Sequence, residues 1–293
     1  MINKGLSRLG TFFLYLISLL PFWILYLVAD FLFFLLYHVA RYRRKVVQEN
    51  LLNSFPEKTA EERHSIEKKF YLHLADMMVE SIKMISVSEK EIAKRVLAPN
   101  PEMLDQYFNQ GRSVMMALGH YGNWEMANLR ASKLFKCPFL IVYKPLTNDI
   151  FDKFFIKMRS RFGATLVPMK NVMRSMVKHK DEVILSAFVA DQTPVKHEAS
   201  YFTTFLNQST AFFLGVEKIA KATNPVIVFC DVQRVKRGYY SFKATLLSDN
   251  PKETAPHEIT EAYVKCLEEM IKRDPPYWLW SHRRWKFKPE DIT

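Results

Sequence analysis

Residues 11–37 are apolar at almost every position, broken only by Pro21 and carrying a single charge, Asp30. As one helix this run would be about 40 Å long, against a bilayer hydrocarbon core of about 30 Å, so it is long enough to span with tilt or with a kink at Pro21. A membrane hairpin bent at Pro21, or a buried helix pair, satisfies the same pattern. Beyond residue 45 the pattern changes to short units. Thr59-x-x-Glu62 reads as a capping box, and Ile66, Phe70, Leu74, Met77 and Met78 follow at helical spacing. Asn100-Pro101 opens another helix, which Gly111 closes. Five short apolar runs, at 113–118, 139–143, 164–168, 183–190 and 225–232, read as buried strands. Helical patterns lie between or after them at 124–135, 148–162, 170–179 and 209–222. Strands alternating with helices predict an α/β fold with a mixed, largely parallel sheet flanked by helices. "YYSFKATLL" around Gly238 predicts a hairpin at the sheet edge, and 256–273 a last amphipathic helix. The expected organisation is an N-terminal membrane anchor and basic collar, 1–45, followed by a cytoplasmic domain, 46–293.

Charge sharpens this picture. The 42 basic and 30 acidic residues leave a net charge of +12, which suits an anionic partner. Arg41, Arg43, Arg44 and Lys45 crowd behind the apolar run. Against Lys4 and Arg8 on its other flank, they place the downstream chain on the cytoplasmic side and next to anionic lipid headgroups. A signal peptide fits poorly, because no small-residue cleavage site follows the run. Cys137, Cys230 and Cys266 are widely spaced, with neither a disulfide framework nor zinc-ligand spacing. No metal and no cofactor is expected.

The chemistry concentrates in "MMALGHYGNWEMANLR", residues 115–130. A strand ends near Leu118, Gly119 and Gly122 permit a sharp turn, and Asn123 is a fitting N-cap for the next helix. His120 then lies beyond the strand's carboxyl end and Glu125 in the first helical turn, where open α/β sheets bind ligands. An imidazole held by a carboxylate is a general base, and no Ser or Cys stands beside it in sequence. His120 is therefore expected to take a proton directly from a substrate hydroxyl, with Glu125 as its partner and no covalent intermediate.

The chain resembles the bacterial lipid A late acyltransferases, membrane enzymes with an H-x-x-x-x-D/E motif. "RYRRKVVQENLLNSFPEK", "GHYGNWE" and "WLWSHRRWKFKP" carry the likeness along nearly the whole length. The resemblance implies transfer of a fatty acyl chain from an acyl carrier protein or acyl-CoA thioester to a hydroxyl of a phosphorylated glycolipid, the lipid A precursor, at the inner membrane. His120 and Glu125 fall on the family's catalytic pair. "KMRSRFGATLVP" matches a segment that supplies an active-site arginine, either Arg159 or Arg161. Asp191 and Gln192, in "VADQTP", are expected to orient the acceptor or pin the active-site loop. Asn123, Arg159, Arg161, Asp191 and Gln192 together form the expected substrate-binding set. Phe202, Phe205 and Phe212 belong either to an acyl groove or to plain core. Arg283, Arg284 and Lys286, among Trp278, Trp280 and Trp285, either face a phosphorylated amphiphile or tie the tail to the domain.

Alternatives keep different parts of this reading. A lysophospholipid or other lipid alcohol changes only the acceptor. A membrane-tethered binding module removes the catalysis, although nucleic acid is not the expected partner because the basic residues sit on helices and termini. A metal hydrolase needs His120, Asp191 and His197 gathered by folding.

Overall fold

Pro21 divides the apolar run into two helices instead of kinking one. A computed structural model describes residues 4–292, without the side chains of Lys4 and Leu6. Those side chains, the first three residues of the expected anchor and Thr293 therefore lie outside the described residues. Helix α1 spans Lys4–Leu19 and α2 spans Phe22–Phe34, continuing into a π-helical turn, Leu35–Val39. Residues 22–39 are long and apolar enough to cross a membrane. Yet α2 is docked on the domain. Phe22, Leu25 and Ala29 are buried, the last two against Ala75 and Val79. The Tyr26 hydroxyl donates to Glu80 at 3.0 Å, and Asp30 pairs with Arg237 at 2.6 Å. Where α1 ends, the carbonyls of Ser18 and Leu20 accept from the Lys83 ammonium, both at 2.8 Å. The opposite face, with Trp23, Leu27, Phe31 and Phe34, is exposed.

Helices α3 (Arg44–Ser54) and α4 (Ala60–Lys83) lead into the domain. The Thr59 capping box forms as expected. The Thr59 amide donates to Glu62, and the Glu62 amide to the Thr59 hydroxyl. After α5 (Glu89–Arg95), β1 (Val96–Leu97) and α6 (Glu102–Asn109), the strand–helix alternation begins. It runs β2 (Val114–Leu118), α7 (Trp124–Leu134), β3 (Phe139–Tyr143), α8 (Asp149–Arg159), β4 (Thr165–Pro168), α9 (Val172–Lys178) and β5 (Leu185–Val189). Then come β6 (Tyr201–Phe205), β7 (Gln208–Phe212), α10 (Gly215–Thr223), β8 (Val226–Lys236), β9 (Tyr239–Ser248) and α11 (Glu258–Arg273).

The main sheet has seven strands in the order β1-β9-β8-β2-β5-β3-β4. All neighbours are parallel except β8 and β9. Strand β2 is central, and every one of its residues is buried. Val114, Met116 and Leu118 pack into one hydrophobic layer, while Met115 and Ala117 pack into clusters on the other face. Burial on both faces is why this strand reads as an unbroken apolar run rather than an alternation.

Two expectations are corrected. The β8–β9 hairpin is not the sheet edge, because the short β1 pairs in parallel outside β9. The helix expected over 209–222 begins only at Gly215, and 209–212 is strand. Leu206 and Asn207, both at positive φ, turn β6 back onto β7. The Glu268 carboxylate accepts from the Leu206 amide there, which satisfies a donor exposed by the turn.

Candidate active site

Parallel register brings the two key residues together. Leu118 on β2 pairs with Val189 on β5. Both strands run the same way, so the residues two positions beyond their carboxyl ends, His120 and Asp191, emerge side by side. His120 Nδ1 lies 2.5 Å from Asp191 Oδ1. Asp191 Oδ2 accepts from the His120 amide at 2.8 Å and from the Trp278 indole at 2.7 Å. One carboxylate thus pins the loop and the ring at once.

Asp191 is 2% exposed. Burial alone would raise its pKa. The charge of His120 and the hydrogen bonds from His120 and Trp278 outweigh burial and hold the carboxyl below its ordinary range. Bound at Nδ1, the ring presents Nε2 outward. The Gln192 amide stands 3.2 Å from Nε2, and the Trp124 ring packs edge-on with centroids 4.9 Å apart. The His120 side chain keeps 18% exposure, enough for a small group to reach it.

Glu125 does not hold His120; among the described residues no hydrogen bond or ion pair joins them. The expected pairing is corrected on this point, and the reason is local geometry. Glu125 lies in the first turn of α7 and is gripped by Arg159 at the end of α8. The Arg159 Nε donates to both carboxylate oxygens, at 3.0 and 2.9 Å, and Nη2 makes a further contact. The Glu125 charge and hydrogen bonds raise the Arg159 pKa although burial works against them.

The other expected residues separate clearly. Arg161 donates to the carbonyls of Met84 and Val87 at 2.6 and 3.0 Å, tying down the α4–α5 link. Of the two arginines, Arg159 is therefore the one beside the motif. Asn123 is fully buried, so it is not placed to touch substrate. Its Oδ1 caps α7 through the Met126 amide, and its Nδ2 donates to Glu80 at 2.7 Å. Gln192 is exposed next to the ring. His197 sits exposed in a 3-10 turn, and among the described residues it joins no metal-ligating group with His120 and Asp191.

The C-terminal segment closes the site from above. Tyr121 bridges to Trp278, and the Gly122 amide donates to the Tyr277 carbonyl at 2.9 Å. The Thr193 hydroxyl donates to the Arg283 and Arg284 carbonyls. Trp278, Trp280 and Arg284 are buried, and Arg284 Nη2 donates to the Ala211 carbonyl at 2.7 Å. Phe205 and Phe212 are core, the first edge-on to Trp278 and stacked on Trp285. Trp278 was missed as a site residue, because its spacing in "WLWSHRRWK" signals an amphiphile contact rather than a bond to a carboxylate 87 positions away.

A largely parallel α/β sheet with an imidazole held by a carboxylate beyond the carboxyl end of its central strand defines the class: an α/β protein whose candidate site lies at the strand ends. Within that class the family is clear. Residues 1–287 match the model of the bacterial lipid A biosynthesis acyltransferases, and the chain belongs to that family. It is 24% identical over 280 residues to a lipid A biosynthesis acyltransferase of Haemophilus influenzae, covering 93% of this chain and 85% of the relative. It is 25% identical over 294 residues to the lipid A biosynthesis lauroyltransferase of Escherichia coli, covering 98% and 93%. The palmitoleoyltransferase of the same organism is 22% identical over 248 residues, covering 84% and 80%.

Proposed function

We propose that this chain moves a fatty acyl group from a carrier thioester to a hydroxyl of a phosphorylated lipid A precursor, with His120 as general base. The observation that carries the reading is the His120–Asp191 contact. With Nδ1 protonated and held by Asp191, Nε2 carries the lone pair, which the exposed Gln192 amide must release for it to accept the acceptor's hydroxyl proton as its oxygen attacks the thioester carbonyl. Collapse of the tetrahedral intermediate breaks the C–S bond, and the imidazolium returns its proton to the leaving sulfur. The transfer is direct, so no acyl-enzyme forms.

Glu125 enters this scheme through Arg159 rather than through His120. A guanidinium fixed by a two-oxygen grip is rigid, and among the described residues its Nη1 makes no hydrogen bond. We assign Arg159 to the anionic oxygen that develops on the thioester carbonyl. Trp124, which touches the His120 ring, is the residue next to Glu125, and this adjacency supports the assignment.

The exposed apolar face of α1 and α2 supports attachment to the inner membrane from its cytoplasmic side, as does the collar at Arg41 to Lys45. Because α2 is docked on α4 through Leu25, Ala29 and the Tyr26–Glu80 bond, the manner of attachment follows. The outer face, with Trp23 at 66% exposure, enters one leaflet while the inner face stays on the protein. Nitroxide-labelled lipids should quench Trp23 from shallow acyl positions. Quenching strongest from the chain terminus would favour a spanning helix.

The decisive experiment supplies purified protein with labelled acyl carrier protein thioester and, separately, a lipid A precursor or a lysophospholipid. Mass spectrometry should find one added acyl ester on the lipid A precursor. Acylation of the lysophospholipid alone would transfer the reading to that acceptor.

A further inference from the structure

A second feature lies apart from the His120–Asp191 pair. A cavity of about 920 Å³ opens between α3 and the C-terminal tail, with Lys45, Arg283, Lys286 and Lys288 in its lining. A hollow of about 520 Å³ continues it toward Arg41 and Arg43 and shares Lys45, Val46 and Arg283 with it. Glu49 and Glu290 are the only carboxylates in either lining. Among the described residues no salt bridge joins Arg41, Arg43, Lys45, Arg283, Lys286 or Lys288 to a carboxylate. Six cations against two carboxylates around a concave surface leave an excess of positive charge that favours an anion, because like charges repel.

The floor of the cavity is fixed by bonds to backbone carbonyls. The Asn50 amide, 7% exposed, donates to the Trp280 and His282 carbonyls at 2.8 and 3.0 Å. Arg43 Nη1 donates to the Ser281 carbonyl at 3.1 Å, and the guanidinium lies over the Tyr42 ring. Two further connections give the cavity a direction. One end begins at Arg41, directly behind the last turn of the apolar helices. Where the two hollows join, Arg283 lines both, and its carbonyl accepts from Thr193, the residue after Gln192 at the His120 ring. His282, between them, lies close enough to His120 and Arg43 to feel both charges.

We propose that this basic cleft holds a phosphate group of the acyl acceptor, with Arg283 and Lys286 as its principal ligands. The proposal rests on the acceptor reading above and adds the place where the headgroup binds. An acceptor with its chains in the bilayer and its hydroxyl at His120 must pass its headgroup across the point where the apolar helices end. Phosphate oxygens there meet guanidinium and ammonium donors, which form charge-assisted bonds. The opening beside the apolar helices favours a lipid headgroup over a soluble acidic carrier protein, whose approach the bilayer would obstruct.

The test uses full-length protein in detergent, a lipid A precursor carrying its phosphates, and the same precursor after phosphatase treatment. In the Arg283→Ala/Lys286→Ala double variant, KM for the phosphorylated acceptor should rise about tenfold or more, the scale of one lost charged contact. Its kcat should stay within about twofold, since neither residue touches the reacting atoms. KM for the dephosphorylated acceptor should be the same in wild type and variant, and Arg283→Lys should recover part of the loss. Both side chains are outside the packed core, so the variant should unfold at the wild-type temperature. An unchanged acceptor KM overturns the proposal. So does an equal rise for both acceptors, or a rise confined to KM for the carrier thioester, which would place the carrier protein in the cleft. If the wild type acylates neither acceptor, the acceptor reading itself has failed, a result distinct from these.

Discussion

A neutral histidine can act as a base only from the nitrogen that carries no proton, and at His120 the contact with Asp191 keeps the proton on Nδ1 and the lone pair on Nε2. His120→Ala should lower turnover by about 10²- to 10⁴-fold, the usual contribution of a general base, with an unchanged circular dichroism spectrum. Asp191→Asn is the more informative change. Its carbonyl can still accept from the His120 amide and the Trp278 indole, but its NH₂ then faces Nδ1. The proton moves to Nε2, and the base is lost with the geometry intact. The two variants act on one unit, so the double variant should be little slower than the slower single one. Multiplying losses would mean that Asp191 and His120 work separately. Gly119→Ala probes the same loop sterically. A Cβ there would stand 2.5 Å from Leu267 Cδ1 and 3.3 Å from Asp191 Oδ2. Overpacking of this kind costs about 1–3 kcal/mol, so both melting temperature and turnover should fall.

At the scale of single elements, α4 carries more than packing. His73 is buried on it, edge-on to Tyr277 with centroids 5.0 Å apart. Burial, reinforced by Arg234, lowers its pKa from 6.5 to about 3. Between those values the unfolded chain binds more protons than the folded one. Stability therefore rises with pH and is lost as pH falls from 6.5, by about 1.4 kcal/mol per pH unit. Asp191 is depressed instead below the ordinary carboxylate range, so its contribution disappears only in stronger acid. Burial raises Asp76 and Glu80 on the same helix, with the opposite sign. Comparison with His73→Gln isolates the histidine: denaturant unfolding at pH 4.5 and 6.5 should differ less in the variant. An equal difference would mean that His73 does not titrate as described.

For the whole molecule, the N-terminal helices are part of the fold and not a detachable tether. Deleting residues 1–40 removes Leu25 and Ala29 from α4 and Phe22 from the main core, takes the Tyr26 hydroxyl from Glu80, and takes Asp30 from Arg237. Each buried large side chain is worth about 1.5–3 kcal/mol, so the melting temperature should fall by about 10 °C or more. Deleting residues 1–20 removes α1 alone. It leaves the Lys83 ammonium without its two carbonyls, and the loss should be smaller. Thermal unfolding in detergent measures both. Equal stability of the 1–40 deletion and the full chain would restore the view of a free anchor.

Much of the architecture was legible because it depends on local pattern. The run "FLIVY" is strand β3 to the residue, Thr59-x-x-Glu62 is the cap of α4, and the strand–helix alternation is the parallel sheet. What misled was pattern without partners. "QSTAF" has helical-looking neighbours, but its strand form is decided by pairing with β6, and the edge position of β9 was taken by a two-residue strand too short to announce itself.

His120 at a strand end, the turn glycines, the basic balance and the family were determined by the sequence, since each depends on residue type and short-range spacing. Which carboxylate serves the histidine was decided only by tertiary structure, because the register of two parallel strands sets His120 beside a residue 71 positions away. Glu125, only five positions on, turns with its helix toward Arg159. Proximity along the chain fixes a side chain's direction only within one element, and between elements packing and register choose its partner.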